Sequence, residues 1–264
     1  MTLSRVTEPD DLGRIDHALD LAEQALAPYT AGEVEAWTKR GDDPLTAADL
    51  AVDEMLRNAL PREDEGWLSE ETADDARRLD CDRVWVVDPI DGTREFVEGI
   101  PEWCVSVGLV IGGRPAAGGL LAPATGQRIV GSVDEGARLN GEPVRCTETT
   151  DLRGALVLAS RSEMSRGEWE PFLSMPLSVR NMGSVALKLG LVAAGYADAT
   201  WTLVPKNEWD VAAGAALVEA AGGTVFGLDL QPVEFNRPVT LMAGFVAVAA
   251  GISDAAQDLL ADFV

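Results

Sequence analysis

Apolar residues change their spacing several times along this chain, and each change marks an element. Leu12, Ile15, Leu19, Leu21 and Leu26 form a loose helical stripe over residues 10–26, closed by Pro28. A clearer stripe of Val52, Met55, Leu56, Ala59 and Leu60 predicts a helix over residues 45–60, stopped by Pro61. Residues 83–87 read as a short buried strand that ends at Asp88-Pro89, because proline has no N–H for a sheet ladder. Residues 104–111 alternate as a strand does, and Gly112-Gly113 predicts a hairpin into residues 116–122. Residues 129–133 and an Asn140-Gly141 turn extend this β-rich stretch.

Past residue 150 the pattern alternates between strand and helix. Residues 155–160 predict a buried strand, and two Ala-rich helices follow over 184–194 and 211–221, each closed by glycine. A strand over 245–249 and a helix over 252–263 complete the chain. The expected fold class is α/β (α+β), in two closely packed subdomains of residues 1–150 and 151–264.

Composition narrows the function. The 264 residues are 47% apolar, which suits a folded core, and the formal charge is −23 with an isoelectric point near 4.2. Such a surface argues against a nucleic-acid polymer as partner. Three scattered cysteines, Cys81, Cys104 and Cys146, form no disulfide framework or zinc knuckle, and a reducing, cytoplasmic setting is expected. The start of the chain is too polar for a signal peptide, and the longest apolar run, 239–252, is too short to span a bilayer. The only histidine is His17, on a helical stripe with no nucleophile motif beside it. Catalysis through a Ser-His or Cys-His pair is therefore not expected; carboxylates, hydroxyls, lysines and metals are left.

Those groups concentrate at Asp88-Pro89-Ile90-Asp91-Gly92-Thr93. Asp88, Asp91 and the Ile90 carbonyl offer three hard oxygens at one turn, a seat for Mg²⁺, and a helix start at Gly92 and Thr93 offers N–H groups to a phosphate. Asp also favours ordinary turns and caps, but that reading leaves the strand, the proline and the Gly-Thr that follows unexplained. Glu70-Glu71, Asp49 after Thr46, and Asp210 before an Ala-rich helix are further acids. Each has a plain alternative, as a solvated pair, a capping-box member and a helix cap respectively. Together, Glu70, Asp88, Asp91 and Asp210 could hold two or three divalent cations suited to phosphoryl transfer to water.

In this order, Ser69-Glu70-Glu71, Trp85-Val86-Val87-Asp88-Pro89-Ile90-Asp91-Gly92-Thr93 and Glu208-Trp209-Asp210 resemble the lithium-sensitive, magnesium-dependent phosphatases. That superfamily includes inositol monophosphatase, fructose-1,6-bisphosphatase and the 3′(2′),5′-bisphosphate nucleotidases. The resemblance implies a layered αβαβα sandwich of the sugar-phosphatase type, usually dimeric, acting on a small phosphorylated substrate. It implies Mg²⁺, two or three ions per site, held by Glu70, Asp88, the Ile90 carbonyl, Asp91 and Asp210. Asp49, Thr93 and Glu70 would form the catalytic set, with Thr93 and Asp49 orienting the attacking water. The amides of Gly92 and Thr93 would hold the phosphate, and lithium would inhibit.

Ala159-Ser160-Arg161-Ser162 and Gly183-Ser184-Val185-Ala186-Leu187-Lys188 are similar to the bacterial branch that hydrolyses 3′-phosphoadenosine 5′-phosphate to AMP. Arg161, Ser184 and Lys188 would then bind substrate; an N-cap serine and a surface lysine remain the alternative. Val97-Glu98-Gly99-Ile100-Pro101 instead resembles the inositol phosphatases. Thr202 stands where the nucleotidases often have an arginine, and Leu203 where the inositol branch often has a glutamate. The substrate pocket thus fits neither pattern fully, and the motifs after residue 159 decide in favour of the nucleotidase activity. An inositol or sugar-phosphate monophosphatase is the alternative, and an inactive metal- or nucleotide-binding regulator is the alternative of another class.

Overall fold

A computed structural model describes residues 7–38 and 44–263; the polar start of the chain, residues 1–6, lies outside them. Its helices are α1 (Asp11–Leu26), α2 (Ala47–Ala59), α3 (Thr93–Glu98), α4 (Arg161–Ser165), α5 (Glu170–Leu173), α6 (Val185–Ala193), α7 (Glu208–Ala220) and α8 (Ser253–Leu260). A seven-stranded sheet takes its strands in chain order: Gly66–Ser69, Arg83–Asp91, Cys104–Ile111, Arg114–Ala122, Gln127–Ser132, Gly136–Leu139 and Glu142–Val144. Its first pair is parallel and the others are antiparallel. A five-stranded mixed sheet runs Ser178–Met182, Leu156–Ser160, Ala199–Thr202, Phe245–Ala249 and Gly223–Gly227.

Alternation along the strand from Arg83 explains the layering. Trp85 and Val87 face a cluster with Ile15, Leu19, Val52 and Leu56 of α1 and α2. Val84 and Val86 face the opposite way, into a core shared with α6, α7 and the second sheet. Both faces are buried, so the strand reads as a continuous apolar run. The order of layers is α1 and α2, seven strands, α6 and α7, five strands, then α4, α5 and α8, which is an αβαβα sandwich. Among the described residues no helix is long and apolar enough to cross a membrane.

Several boundaries move from the expected ones for physical reasons. Helix α2 begins at Ala47, because Leu45 pairs with Trp37 in a small antiparallel ladder and Thr46 caps the helix. Helix α7 begins at Glu208, three residues before the apolar run, with Asn207 as its cap. The terminal helix is confined to Ser253–Leu260, flanked by single turns of 3₁₀ helix. Most important for the site, the strand from Arg83 does not stop at Pro89 but continues to Asp91.

Candidate active site

Asp88 pairs with Ser106 and Asp91 with Cys104, so three steps on one strand face two on its neighbour. The one extra residue makes a β-bulge at Pro89-Ile90, where proline has no N–H to give the ladder. In an unbroken strand, residues three apart point to opposite faces; the bulge turns both carboxylates to the same side. Asp88 Oδ1 braces the bulge by accepting the Ile90 N–H at 3.1 Å. Gly92 follows with φ +96°, and a Cβ there would sit 2.9 Å from the Glu102 carbonyl oxygen, so only glycine fits the turn into α3.

Two capping boxes aim the next two acids. At the start of α2, Asp49 Oδ2 accepts from the Thr46 N–H at 2.8 Å and the Thr46 hydroxyl at 2.6 Å. Its other oxygen, Oδ1, lies 3.1 Å from the Thr93 hydroxyl, which is also 2.9 Å from the Ile90 carbonyl oxygen. At the start of α7, Asp210 Oδ2 accepts from the Asn207 N–H at 2.9 Å, so Asp210 occupies the third helical position rather than the cap. Carboxylate oxygens of Asp88, Asp91 and Asp210 all lie within 4.8 Å of one another. Glu70, just past the strand Gly66–Ser69, lines the same cavity of about 210 Å³ but stands outside that tight group.

Electrostatics set these acids apart. Burial, then the charges of Glu70, Asp91 and Asp210, push the Asp88 carboxyl well above its ordinary value. Burial also raises Asp91, against two opposing hydrogen bonds of 2.5 Å from the Ser184 hydroxyl and the Ala186 N–H. Asp210 is pushed up to about 8 by burial and by Asp91. Clustered carboxylates with raised proton affinity, two of them buried and Asp210 half-buried, suit a divalent cation, whose charge removes their mutual conflict and whose preferred ligands are hard oxygens. The residues therefore fit a metal centre. A second acidic trio, Glu8, Asp10 and Asp11, is instead occupied by Arg62 and Arg83.

The remaining expected positions line the same cavity in different states. Ser184 caps α6: its oxygen accepts the Leu187 N–H at 3.0 Å and its proton goes to Asp91. Lys188, 2% exposed, donates to the Ser184 carbonyl at 3.0 Å, and burial lowers it to about 8. Arg161 is bound to Glu102, which also accepts the Gly183 N–H at 2.8 Å, and its Nε lies 3.6 Å from Glu95. Lys206 and Glu95 complete the polar wall. His17 is exposed on α1, far from this chemistry in role. Sequence reasoning missed Glu163, a fully buried carboxylate beside the cavity, because a lone Glu in a Ser-rich segment carries no signal.

Comparison with known proteins fits this geometry. A family model described as the inositol monophosphatase family matches residues 13–263. Inositol monophosphatase 3 of Solanum lycopersicum is 33% identical, over 92% of this chain and 96% of its own length. The structure is similar to that of an IMPase from Thermotoga maritima, with a TM-score of 0.83 at 27% identity, covering 95% of this chain and 98% of the other. It is also similar to CysQ from Bacteroides thetaiotaomicron, with a TM-score of 0.78 at 26% identity, covering 91% and 97%.

Proposed function

This chain belongs to the inositol monophosphatase family, and from that premise we propose that it is a Mg²⁺-dependent phosphomonoesterase whose main substrate is 3′-phosphoadenosine 5′-phosphate. The observation that carries the hydrolase reading is the group of three carboxylates within 4.8 Å at a bulge, opening into a cavity that also holds two lysines. Asp88, Asp91, Asp210, Glu70 and the Ile90 carbonyl are the proposed metal ligands. When bound, two or three Mg²⁺ supply Lewis-acid activation of water and charge neutralisation of the phosphoryl group and leaving oxygen.

The chain's own residues do the rest in this reading. Asp49, locked by Thr46, accepts the hydrogen bond of the Thr93 hydroxyl and so turns an oxygen lone pair of Thr93 toward the attacking water. Amides of Gly92 and Thr93 receive phosphate oxygens, and a cation on Asp210 would displace the proton that this carboxyl otherwise holds. Ser184 orients Asp91 rather than reaching for substrate, while Lys188 offers an ammonium to an anionic leaving group. Arg161, tied to Glu102, shapes that wall. Three free cysteines and the absence of a membrane-length helix among the described residues support a cytoplasmic setting, and a homodimer is the proposed assembly.

A second reading is an inositol monophosphatase, favoured by Glu95 on the cavity wall, whose carboxyl suits substrate hydroxyls, and by the name of the tomato relative. Phosphate release from 3′-phosphoadenosine 5′-phosphate and inositol 1-phosphate, side by side with Mg²⁺, separates the two. The account expects the nucleotide to lead by tenfold or more in kcat/KM. A lead for inositol phosphate reverses the order, and no release from either, with Mg²⁺ bound, points to an inactive regulator.

A further inference from the structure

Helix α2 carries two buried carboxylates one turn apart, Asp49 and Asp53. Asp49 reaches the Thr93 hydroxyl, whereas Asp53 reaches a different segment. Its Oδ1 accepts the Ser69 hydroxyl and its Oδ2 the Thr72 hydroxyl, both at 2.5 Å. Between those two residues stand Glu70 and Glu71. One carboxylate therefore brackets Glu70, from the residue before it and from the second residue after it. The Ser69 oxygen in turn accepts the Glu71 N–H at 3.4 Å, which draws the turn closed.

Glu70 has need of such a brace. The parallel ladder holds Ser69 beside Val87, and the Glu70 N–H donates to the Val87 carbonyl at 3.3 Å. Residues 70–76 then form neither helix nor strand, so side-chain contacts decide where this loop runs. The charge of Glu70 is one cause of the raised proton affinity of Asp88, which means that the acids repel one another without a cation. A free loop would relieve that conflict by swinging Glu70 into water. Asp53 opposes the swing from a rigid base: a capping box fixes the start of α2, and Val52 and Leu56 bury the helix against the seven-stranded sheet. For fold stability alone, a buried carboxylate is a costly way to fasten two neutral hydroxyls, because an apolar side chain would pack there without losing hydration.

We propose that Asp53 is a positioning residue for Glu70, fixing the turn at 69–72 so that the Glu70 carboxylate stands in the cavity before any cation arrives. Because Asp49 lies on the same helix, α2 then sets the water-orienting pair and one metal ligand with a single rigid piece. The inference rests on the metal-centre reading, under which Glu70 is a ligand.

The test titrates the full chain, without substrate, with Mn²⁺, an oxygen-seeking stand-in for Mg²⁺ whose free form is counted by EPR. Glu70→Gln marks the site in question by weakening it. Asp53→Ala should raise the Kd of that site about tenfold, the scale on which partners of metal ligands act. With Glu70→Gln already present, Asp53→Ala should shift Kd less than twofold, while its effect on Tm stays the same in both backgrounds. Asp53→Asn can accept from one hydroxyl and donate to the other, so it should hold Kd within threefold of the native value. Thr72→Val, at a half-buried position, should raise Kd about threefold with the fold intact, which keeps the test open if Asp53→Ala does not fold. An unmoved Kd in Thr72→Val and Asp53→Ala, or an equal shift with and without Glu70→Gln, overturns the positioning role and leaves the metal centre standing. A native chain that binds no Mn²⁺ overturns both. The expected shifts without phosphate release would refute the hydrolase reading and leave the positioning role in place.

Discussion

Thr93 has one hydroxyl proton and two acceptors within reach, Asp49 Oδ1 and the Ile90 carbonyl. Donation to Asp49 leaves the Ile90 carbonyl available to a cation, so the proton's choice and metal binding are coupled. If the pair orients water, Thr93→Ala should lower kcat about 10²–10⁴-fold while KM stays within threefold, and Thr93→Ser should recover much of it. A loss carried by KM would remove Thr93 from the chemistry. Proton affinities give a second residue-scale prediction. Asp88, Asp91 and Asp210 hold protons more tightly in the fold than at their ordinary value of 3.8, with Asp210 near 8. In the metal-free chain their contribution is complete below about pH 4 and is lost as pH rises towards 8. Tm measured with a chelator should therefore fall by several degrees between pH 5 and 8, and Mg²⁺ should restore it at pH 8. A chelated Tm that is flat over this range would contradict the cluster's electrostatics.

Elements bring these residues together through close backbone approach. Helix α7 is Ala- and Gly-rich because it lies directly on the seven-stranded sheet: a Cβ at Gly118 would meet the Ala213 carbonyl oxygen at 2.4 Å, and one at Gly108 the Ala213 nitrogen at 2.8 Å. Gly118→Ala should thus push α7 away, cost about 1–3 kcal/mol in urea unfolding, and lower activity by displacing Asp210. Unchanged stability would show that the helix has slack. At this scale the sequence was legible where local rules decide. The Thr46 to Asp49 capping box could be read directly, as could the hairpin at Gly112-Gly113 and the glycine stops after α6 and α7. It misled at Pro89, where the missing N–H predicts an end and the ladder resumes after one extra residue. The strand Ser178–Met182 escaped notice because its exposed sheet-edge positions carry no apolar alternation. Glu163 escaped for another reason: its partners at Thr202 and Leu203 are some forty residues away, and only the fold joins them.

At the scale of the molecule, an acidic chain of net charge −23 handling an anionic substrate looks contradictory until the cavity is considered. Carboxylates and ammonium groups line the same cavity, so cations and phosphates each meet opposite charge there. The ordered motifs at Glu70, Asp88-Pro89-Ile90-Asp91 and Asp210 made the class readable across most of the chain, and the family match over residues 13–263 agrees. Substrate identity was less legible, because the cavity wall is assembled from α3, α4, α6 and the segment before α7, four pieces with no common sequence pattern. The central claim is that the carboxylate group binds cations that make this chain a phosphatase. The most direct test is a Mg²⁺ titration of phosphate release from 3′-phosphoadenosine 5′-phosphate by the native chain and by Asp91→Asn. Saturable, Mg²⁺-dependent release that falls at least a thousandfold in Asp91→Asn is the predicted result. Release independent of Mg²⁺, or an Asp91→Asn variant as active as the native chain, would contradict it.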